Sequence, residues 1–254
     1  MRTNKVKELW RAKKAPAVAW LSTPDTYIGE AMANAGFDAM VLDMQHGMTI
    51  GPDRAGIWFQ AVSANTVPFV RVPWNEPVFI QWVLDAGAYG VIVPLVNNRE
   101  EAMKAGGACR YPPKGYRSLG PNRVRFYAGA DYSQRANDEV VCLVMIEDIK
   151  TIDHLEELTR ASGIDGFYIG PTDLALSMGI DPNVFRQSAE HGKACQRVLD
   201  VANSSGLVAG IHCWSAEEAA QRTKQGFMFC PAVSDIGAVT ASARAALKTV
   251  RGSG

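Results

Sequence analysis

The chain has 254 residues, of which 47% are apolar, and its 26 basic side chains balance its 26 acidic ones. This length and apolar content fit one large barrel domain with a single core. A net charge of zero, without a stripe of basic residues, argues against a nucleic-acid binder, so we expect small-molecule partners.

Cysteine usage and the N-terminal stretch bear on where the protein works. The five cysteines are odd in number and include no Cys-x-x-Cys pair, which predicts neither a disulfide framework nor a thiolate zinc site. Residues 1–14 are basic, but no apolar run of signal-peptide length follows them, and no run reaches the roughly 18 residues that span a membrane. We therefore expect a cytoplasmic protein with no membrane partner, whose N-terminus forms a solvated amphipathic helix.

Eight short runs of β-branched and aromatic residues recur along the chain, and each is nearly continuous in apolarity. Strands that are buried on both faces have this composition, so the runs predict a parallel sheet. The runs are residues 17–22, 39–44, 67–72, 90–96, 141–147, 166–171, 207–213 and 227–233.

Helix-like segments separate these runs, and several of them end at a glycine, as helix C-termini commonly do. Eight repeats of strand then helix predict an α/β protein with a closed (β/α)8 TIM barrel, rather than an open doubly wound sheet. No linker divides the chain, so we predict one domain over residues 1–254.

The interval between the fourth and fifth runs is longer than one helix requires. Residues 111–138 are rich in Gly, Pro, Tyr and Arg and have no sustained period. Long loops in compact domains are usually functional or disordered. We weigh two interpretations equally, a lid or specificity loop over the active face and a subunit contact.

Groups able to hold or activate a small anion stand at the ends of four runs. Asp43 and His46 belong to the second run's end, Arg71 closes the third, Glu147 ends the fifth, and Asp173 lies just past the sixth. Because strand ends converge on one face of a barrel, residues far apart in sequence can meet there around one substrate.

Glu147 and Asp173 are the candidate metal ligands. Two carboxylates at neighbouring strand ends suit a hard divalent cation that keeps some waters, and Mg²⁺, Mn²⁺ and Co²⁺ fit such a site alike. The alternative is that each carboxylate caps the following helix or pairs with a basic residue. The presence of an arginine and a histidine at other strand ends favours the metal site.

Arg71 and His46 are the candidate catalytic residues, with Asp43 as a partner. The guanidinium of Arg71 can bind a carboxylate bidentately, or form a salt bridge with Glu147 or Asp43, and the two roles are compatible. His46 follows Asp43 by three residues, so the carboxylate can orient the ring and raise its basicity for a role as base. A purely structural histidine is the alternative.

The stretch IGPTDLALSMG, which begins at residue 169, predicts a strand, a tight turn at Gly170 and a helix start. Free backbone N–H groups at a helix start bind anions, so the N–H groups of Thr172 and Asp173 are candidates to hold a substrate carboxylate.

Motifs that the chain lacks narrow the chemistry. It has no Gly-x-Gly-x-x-Gly, no Walker loop and no His-Glu-x-x-His, and none of the eight runs contains a lysine for a Schiff base. Stabilisation of a carbanion would then have to come from a metal.

Six segments together resemble one family, the class II, metal-dependent 2-oxo acid aldolases of the 2,4-dihydroxyhept-2-enedioate (4-hydroxy-2-oxoheptanedioate) aldolase type. The resemblance runs in order from about residue 15 to residue 240. The segments are FDAMVLDMQHG, PFVRVPWNEP, LDAGAYGVIVPLVNNREEA, CRYPPKGYRSLG, VMIEDIKTIDHLEEL and IDGFYIGPTDLALSMG.

This resemblance implies a barrel of the phosphoenolpyruvate/pyruvate superfamily, assembled as a homo-hexamer (a dimer of trimers) with the last helix exchanged between subunits. It implies metal ligation by Glu147 and Asp173, pyruvate binding by Arg71, and catalysis by His46 with Asp43. The expected reaction is cleavage of a 4-hydroxy-2-oxo acid to pyruvate and an aldehyde, or the reverse, with the metal and Arg71 stabilising the enolate.

Two positions depart from the family pattern, and they leave the substrate open. Gln45 stands where many members have Glu, and Met145 stands where many have Gln. A related enzyme on the same scaffold, such as a citrate-forming synthase, is the nearest alternative, and a non-catalytic 2-oxo acid-binding barrel is a more distant one. The aldehyde half is expected to be selected by residues of the long interval or of a neighbouring subunit, among them Tyr116, Arg117, Arg123 and Arg125.

Overall fold

Eight parallel strands form the centre of the computed structural model, which describes residues 1–48 and 51–252. Each strand from β1 to β6 pairs with the next one in sequence, and β1 also pairs with β8. The predicted TIM-barrel fold is confirmed. The strands are β1 (Val18–Leu21), β2 (Ala39–Asp43), β3 (Val67–Arg71), β4 (Gly90–Val93), β5 (Val141–Ile146), β6 (Gly166–Ile169), β7 (Val208–Ile211) and β8 (Pro231–Ser234).

Helices surround the barrel, and most of them carry the chain from one strand to the next. They are α1 (Lys5–Arg11), α2 (Thr26–Asn34), α3 (Pro52–Val62), α4 (Pro77–Ala86), α5 (Arg99–Cys109), α6 (Arg125–Ala128), α7 (Tyr132–Glu139), α8 (Ile149–Ile152), α9 (Leu155–Leu158), α10 (Pro171–Ser177), α11 (Ala189–Ser204), α12 (Ala216–Gln225) and α13 (Asp235–Arg251). A short 3₁₀ turn over Phe185–Gln187 precedes α11.

The eighth strand begins later than the predicted run at residues 227–233. Met228 and Phe229 hydrogen-bond to β7 instead, since the N–H of Met228 donates to Ala209 and the N–H of Ile211 donates to Phe229. Only Pro231–Ser234 pairs with β1. The apolar run thus serves two neighbours in turn, and its first half closes the barrel.

The long interval lies at the opposite end of the barrel from the strand ends that were expected to hold the site. It follows α5 and precedes β5, so it starts where helices end and strands begin. Arg117 is buried and pairs with Asp85 near the end of α4 at 2.6 Å, and Ala128 accepts a hydrogen bond from the N–H of Arg2. The lid interpretation is therefore wrong for this protomer, while the subunit-contact interpretation stays a prediction.

The N-terminal helix is confirmed, but it is less solvated than predicted. Val6 is buried, and the buried side-chain amide of Asn4 donates to the carbonyls of Tyr89 and Glu139. Trp10 donates through Nε1 to the carbonyl of Met228. One face of α1 thus packs under the barrel. Within the described residues, no helix combines the length and apolarity that crossing a membrane requires.

Gly90 illustrates how tightly the barrel interior is packed. A Cβ added at this position in β4 would overlap the ring of Phe69 on β3, and both residues are buried. Interior packing of this density leaves an extra methyl group no space.

We expect Gly90→Ala to destabilise the fold by about 1–3 kcal/mol through overpacking. The free energy of unfolding, measured by urea denaturation, checks this. Gly192→Ala is the matched control: it lies inside α11, where a Cβ would meet no described atom within 4 Å, so the same change should stabilise the helix by about 0.5–1 kcal/mol. Equal effects of the two substitutions would contradict the packing argument.

Candidate active site

A pocket of about 290 Å³ opens at the carboxyl ends of the strands. It brings together residues from β2, β3, β5, β6 and β7 or the loops that follow them. Asp43 and Glu147 do not line it. Asp43 binds Arg71, and Glu147 packs beside Gly170, and both of these partners do line the pocket. The lining residues are His46, Arg71, Met145, Gly170, Pro171, Thr172, Asp173, His212 and Trp214.

Arg71 and Asp43 form a bidentate ion pair beneath this pocket. The two residues are register partners on adjacent strands, and Nε donates to Oδ1 at 2.9 Å while Nη2 donates to Oδ2 at 2.6 Å. The side chains are only 11% and 3% exposed. The salt bridge that the sequence left open is therefore present. Within residues 1–48 and 51–252, Nη1 of Arg71 has no hydrogen-bond partner, which leaves it available to a ligand.

Asp43 also fixes the loop that carries His46. Its Oδ1 accepts the backbone N–H groups of Gln45 at 3.0 Å and His46 at 3.2 Å, and its Oδ2 accepts Nε1 of Trp20 at 3.4 Å. Burial acts to raise the pKa of Asp43, but the bonds and charge of Arg71, with the two N–H groups, outweigh burial and lower it. Asp43 is thus ionised near neutral pH.

The expected contact between Asp43 and the imidazole ring of His46 is absent from the described hydrogen bonds. The carboxylate is already surrounded by Arg71, Trp20 and backbone N–H groups, so it holds the backbone of His46 instead of the ring. The imidazole is exposed at the pocket edge. Asp43 positions His46 through the loop, which corrects the predicted ring orientation.

Glu147 is held by a strained loop. Its Oε1 accepts the N–H of Leu95 at 2.6 Å, and Leu95 has a φ of 55°, a left-handed conformation that is unfavourable for a residue with a side chain. The pKa of Glu147 is raised, chiefly by burial and also by the charge of Asp173. The hydrogen bond from Leu95 and the charge of Arg71 act in the opposite direction but do not outweigh them. The site therefore disfavours an uncompensated negative charge.

The arrangement around Glu147 fits a divalent cation. A Cβ on Gly170 would lie 2.7 Å from Oε2 of Glu147, so the glycine keeps space open beside that oxygen. Asp173 is exposed in the first turn of α10 and close enough for its charge to shift the pKa of Glu147. Among the described residues, no group of three or more His, Cys, Asp or Glu converges. Two carboxylates completed by water and substrate oxygens are typical of Mg²⁺ sites.

An aromatic wall that the sequence did not predict closes one side of the pocket. Trp20 lies edge-on to His212 with ring centroids 4.6 Å apart, and Arg71 stacks over Trp20 at 5.0 Å. Nδ1 of His212 shares a hydrogen bond of 3.1 Å with the hydroxyl of Tyr168. Burial and the charge of Arg71 lower the pKa of His212 to about 4, so this ring is neutral near pH 7.

The sequence does not single out His212 as a site residue, because no acid lies close before it. Its partner, Tyr168, lies on the neighbouring strand β6, and only the register brings the two together. The remaining histidines do not line the pocket: His154 is exposed near α9, and Nε2 of His191 bonds to the carbonyl of Pro171 at 2.9 Å. His191 therefore supports the turn that carries Thr172 and Asp173.

Residues 17–240 match a family of enzymes described as HpcH/HpaI aldolase/citrate lyase. The chain belongs to this family. Its members are class II, metal-dependent aldolases, and the predicted resemblance is confirmed. The chain is accordingly an aldolase-type enzyme that acts on carbon–carbon bonds.

Two named relatives cover nearly the whole chain. A hydroxypyruvate/pyruvate aldolase from Rhizorhabdus wittichii is 38% identical over 98% of this chain and 99% of its own. A 5-keto-4-deoxy-D-glucarate aldolase from Escherichia coli O139:H28 is 32% identical over 92% of this chain and 91% of its own.

Solved structures show the same architecture. A family protein from Burkholderia cenocepacia superposes with a TM-score of 0.89 at 29% identity, covering 98% of this chain and 100% of its own. The citrate synthase SbnG superposes with a TM-score of 0.85 at 28% identity, covering 96% of both chains. The same fold is thus found in a protein named for the aldolase/citrate lyase family and in one named a citrate synthase.

We expect Arg71→Met to destabilise the fold by about 3–5 kcal/mol at neutral pH, because it leaves the buried Asp43 carboxylate unpaired. Because the pKa of Asp43 is lowered in the native protein, its ionised carboxylate stabilises the fold at any pH above 3.8, the ordinary pKa of an aspartate. This contribution is lost as the pH falls through the lowered pKa. The cost of the substitution should therefore shrink on acidification, as urea denaturation across pH would measure.

The double variant Asp43→Asn/Arg71→Met is the control for that experiment. Removing both charges leaves no buried ion without a partner, so a large part of the lost stability should return. A destabilisation that is the same at every pH, and unchanged in the double variant, would contradict the ion-pair argument.

Proposed function

We propose that this enzyme cleaves 4-hydroxy-2-oxo acids to pyruvate, or a related 2-oxo acid, and an aldehyde, and that it catalyses the reverse condensation. The observation that carries the proposal is the pocket lined by Arg71, which Asp43 holds, and by Asp173, with Glu147 next to the pocket residue Gly170 at a converging strand end. A cationic group beside a two-carboxylate site suits an anionic substrate whose reaction builds up further negative charge.

The metal site is assigned to Glu147 and Asp173. When bound there, Mg²⁺, Mn²⁺ or Co²⁺ would supply the positive charge that stabilises an enolate and that offsets the two carboxylates. Glu147 is held in place by the N–H of Leu95, so its Oε2 is the oxygen left to face a ligand. The choice among the three metals belongs to this proposal.

Arg71 is assigned to the developing negative charge on the substrate. Its Nε and Nη2 are bound to Asp43, which fixes the plane of the guanidinium and leaves Nη1 for the ligand. A donor that is oriented in advance costs no reorganisation during the reaction. The N–H groups of Thr172 and Asp173, with Gly170, are assigned to the carboxylate of the 2-oxo acid, on the pocket wall that they line.

His46 is assigned as the base that accepts the proton of the 4-hydroxyl when the C3–C4 bond breaks, and that returns it in the condensation. Its exposed ring at the pocket edge can reach a substrate, and its backbone is anchored by Asp43. Asp43 is therefore a positioning residue in this scheme.

Pyruvate and hydroxypyruvate are the 2-oxo acids that we favour, on the likeness to the Rhizorhabdus wittichii enzyme named for both. Two positions that differ from the usual family residues, Gln45 and Met145, bear on which 2-oxo acid is bound. Met145 places an apolar side chain in the pocket lining. Oε1 of Gln45 is buried and has no partner within the described residues.

A citrate-forming synthase is the second candidate, favoured by the likeness to the citrate synthase SbnG. The two can be separated by asking whether pyruvate alone exchanges its methyl protons with solvent in the presence of a divalent metal. An aldolase should catalyse this exchange. A non-catalytic 2-oxo acid-binding barrel should turn over no 4-hydroxy-2-oxo acid.

The homo-hexamer with an exchanged C-terminal helix, and the cytoplasmic location, also remain part of the proposal. The hexamer is supported by α13, on which Ile236, Val239, Leu247 and Val250 are all at least 47% exposed. An apolar helix face left open on one protomer is typical of a subunit contact.

We expect pyruvate release from a panel of 4-hydroxy-2-oxo acids with Mn²⁺ or Mg²⁺, and loss of release when a chelator removes the metal. Glu147→Gln should abolish this release, because it removes a charged oxygen ligand. Glu157→Gln, an exposed change on α9, is the matched control and should retain full activity. Release that survives the chelator, or full activity of Glu147→Gln, would refute the metal assignment.

His46→Asn should lower kcat for cleavage by about 10²–10⁴-fold, the usual contribution of a positioned base, with a smaller change in KM. Steady-state kinetics with the best substrate of the panel measures this. His154→Asn removes an exposed imidazole outside the pocket and should leave kcat unchanged. A wild-type kcat in His46→Asn would exclude His46 as the base.

A further inference from the structure

A second and larger cavity, of about 520 Å³, adjoins the active-site pocket. Thr172 and Trp214 line both spaces, so the two share a wall. We call the first space the inner pocket and the second the outer cavity. The other residues of the outer cavity are Pro182, Phe185, Arg186, Ser215 and Glu218.

Arg186 is the cationic side chain of the outer cavity. Its guanidinium carbon lies 4.2 Å from the ring centroid of Trp214 and 4.7 Å from that of Phe185. Stacking on two aromatic rings restrains the guanidinium, which lowers the conformational cost of binding a planar anion. The side chain is still 44% exposed, so a ligand can reach it.

Glu218 sets the orientation of Arg186 without using up its donors. Oε1 of Glu218 lies 3.5 Å from Nε of Arg186, and Oε2 accepts the N–H of Trp214 at 3.1 Å. Both oxygens of Glu218 are thus engaged. In the part of the chain that the structure describes, neither Nη1 nor Nη2 of Arg186 has a hydrogen-bond partner, and these two groups form the edge that binds carboxylates bidentately.

We propose that Arg186 binds a terminal carboxylate on the aldehyde half of the substrate, and so makes this enzyme selective for substrates with an anionic tail. The inference rests on the proposed function, which places the 2-oxo acid head in the inner pocket beside Arg71. A tail that leaves the head along the wall of Thr172 and Trp214 enters the outer cavity. Arg186 is the cation that lies there.

Arg186 is not among the specificity residues expected from the sequence, whose role in a neighbouring subunit stays a prediction. Arg117 is buried against Asp85, and Arg123 packs on Phe59 and Tyr127, all at the opposite end of the barrel in the same protomer. No sequence pattern marks Arg186, because it lies in the segment after β6 and its aromatic partner Trp214 follows β7.

The test measures binding and needs no turnover. With Mg²⁺ present, isothermal titration calorimetry compares 2-oxoheptanedioate with 2-oxoheptanoate, which differ only in the terminal carboxylate and lack the 4-hydroxyl that cleavage requires. Pairs of shorter 2-oxo acids, down to 2-oxopentanedioate and 2-oxopentanoate, define the tail length that reaches the outer cavity. We expect one diacid to bind about tenfold more tightly than its monoacid, the low end for a charged hydrogen bond at a half-exposed site.

Three variants separate the charge of Arg186 from its packing. Arg186→Gln keeps a planar group over Trp214 and should remove the preference for the diacid while leaving monoacid affinity unchanged. Arg186→Lys keeps the charge without the forked edge and should retain part of the preference. Arg222→Gln is the matched control: it removes a nearby arginine of α12 that does not line the outer cavity, and it should keep the full preference.

Each outcome bears on the proposal. Loss of the diacid preference in Arg186→Gln alone supports it. Equal binding of every diacid and its monoacid by the wild-type protein overturns it and leaves the proposed function standing, since the heads still bind. Binding of neither acid overturns the proposed function and this inference together. A preference that persists in Arg186→Gln, or disappears equally in Arg222→Gln, also overturns it, because the anion would then be held elsewhere.

Discussion

The ion pair between Asp43 and Arg71 is the interaction on which the site depends. Two register partners on β2 and β3 meet through two hydrogen bonds, almost out of contact with solvent. Burying both charges is costly, and a pair of this kind is a poor source of net stability. What it provides is orientation: Asp43 fixes the guanidinium plane and, through the N–H groups of Gln45 and His46, the loop that crosses above it.

Glu147 shows the opposite electrostatic balance a few strands away. Asp43 has a full cationic partner and a lowered pKa, whereas Glu147 is buried with one N–H donor from a left-handed Leu95 and has a raised pKa. Strain of this kind persists only where the surrounding structure imposes it. The barrel mouth therefore contains one carboxylate that Arg71 neutralises and another, Glu147, that has no ion-pair partner among the described residues. This difference supports the proposal that Asp43 positions the loop while Glu147 binds the metal.

The sequence predicted the barrel well because strands buried on both faces must be apolar throughout, and their ends then identify the site. It failed where the outcome depended on contacts between distant segments. The run at 227–233 pairs with two different strands, first with β7 through Phe229 and then with β1 from Pro231 onward. The imidazole of His46 makes no hydrogen bond to Asp43, because the guanidinium of Arg71 on the next strand binds that carboxylate instead.

The position of a loop before or after a strand explains why the lid interpretation of residues 111–138 is wrong for this protomer. It also explains which loops can take part in the site. An insertion after a strand reaches the active face, whereas one after a helix reaches the other end, and residues 111–138 follow α5. The segments that do follow strands β6 and β7 are the turn at Gly170 and the loop at Trp214, and both line the inner pocket. Rigid strand ends thus hold the groups common to the chemistry, while the loops beyond them, which tolerate change, are where an enzyme of this fold can acquire its own substrate.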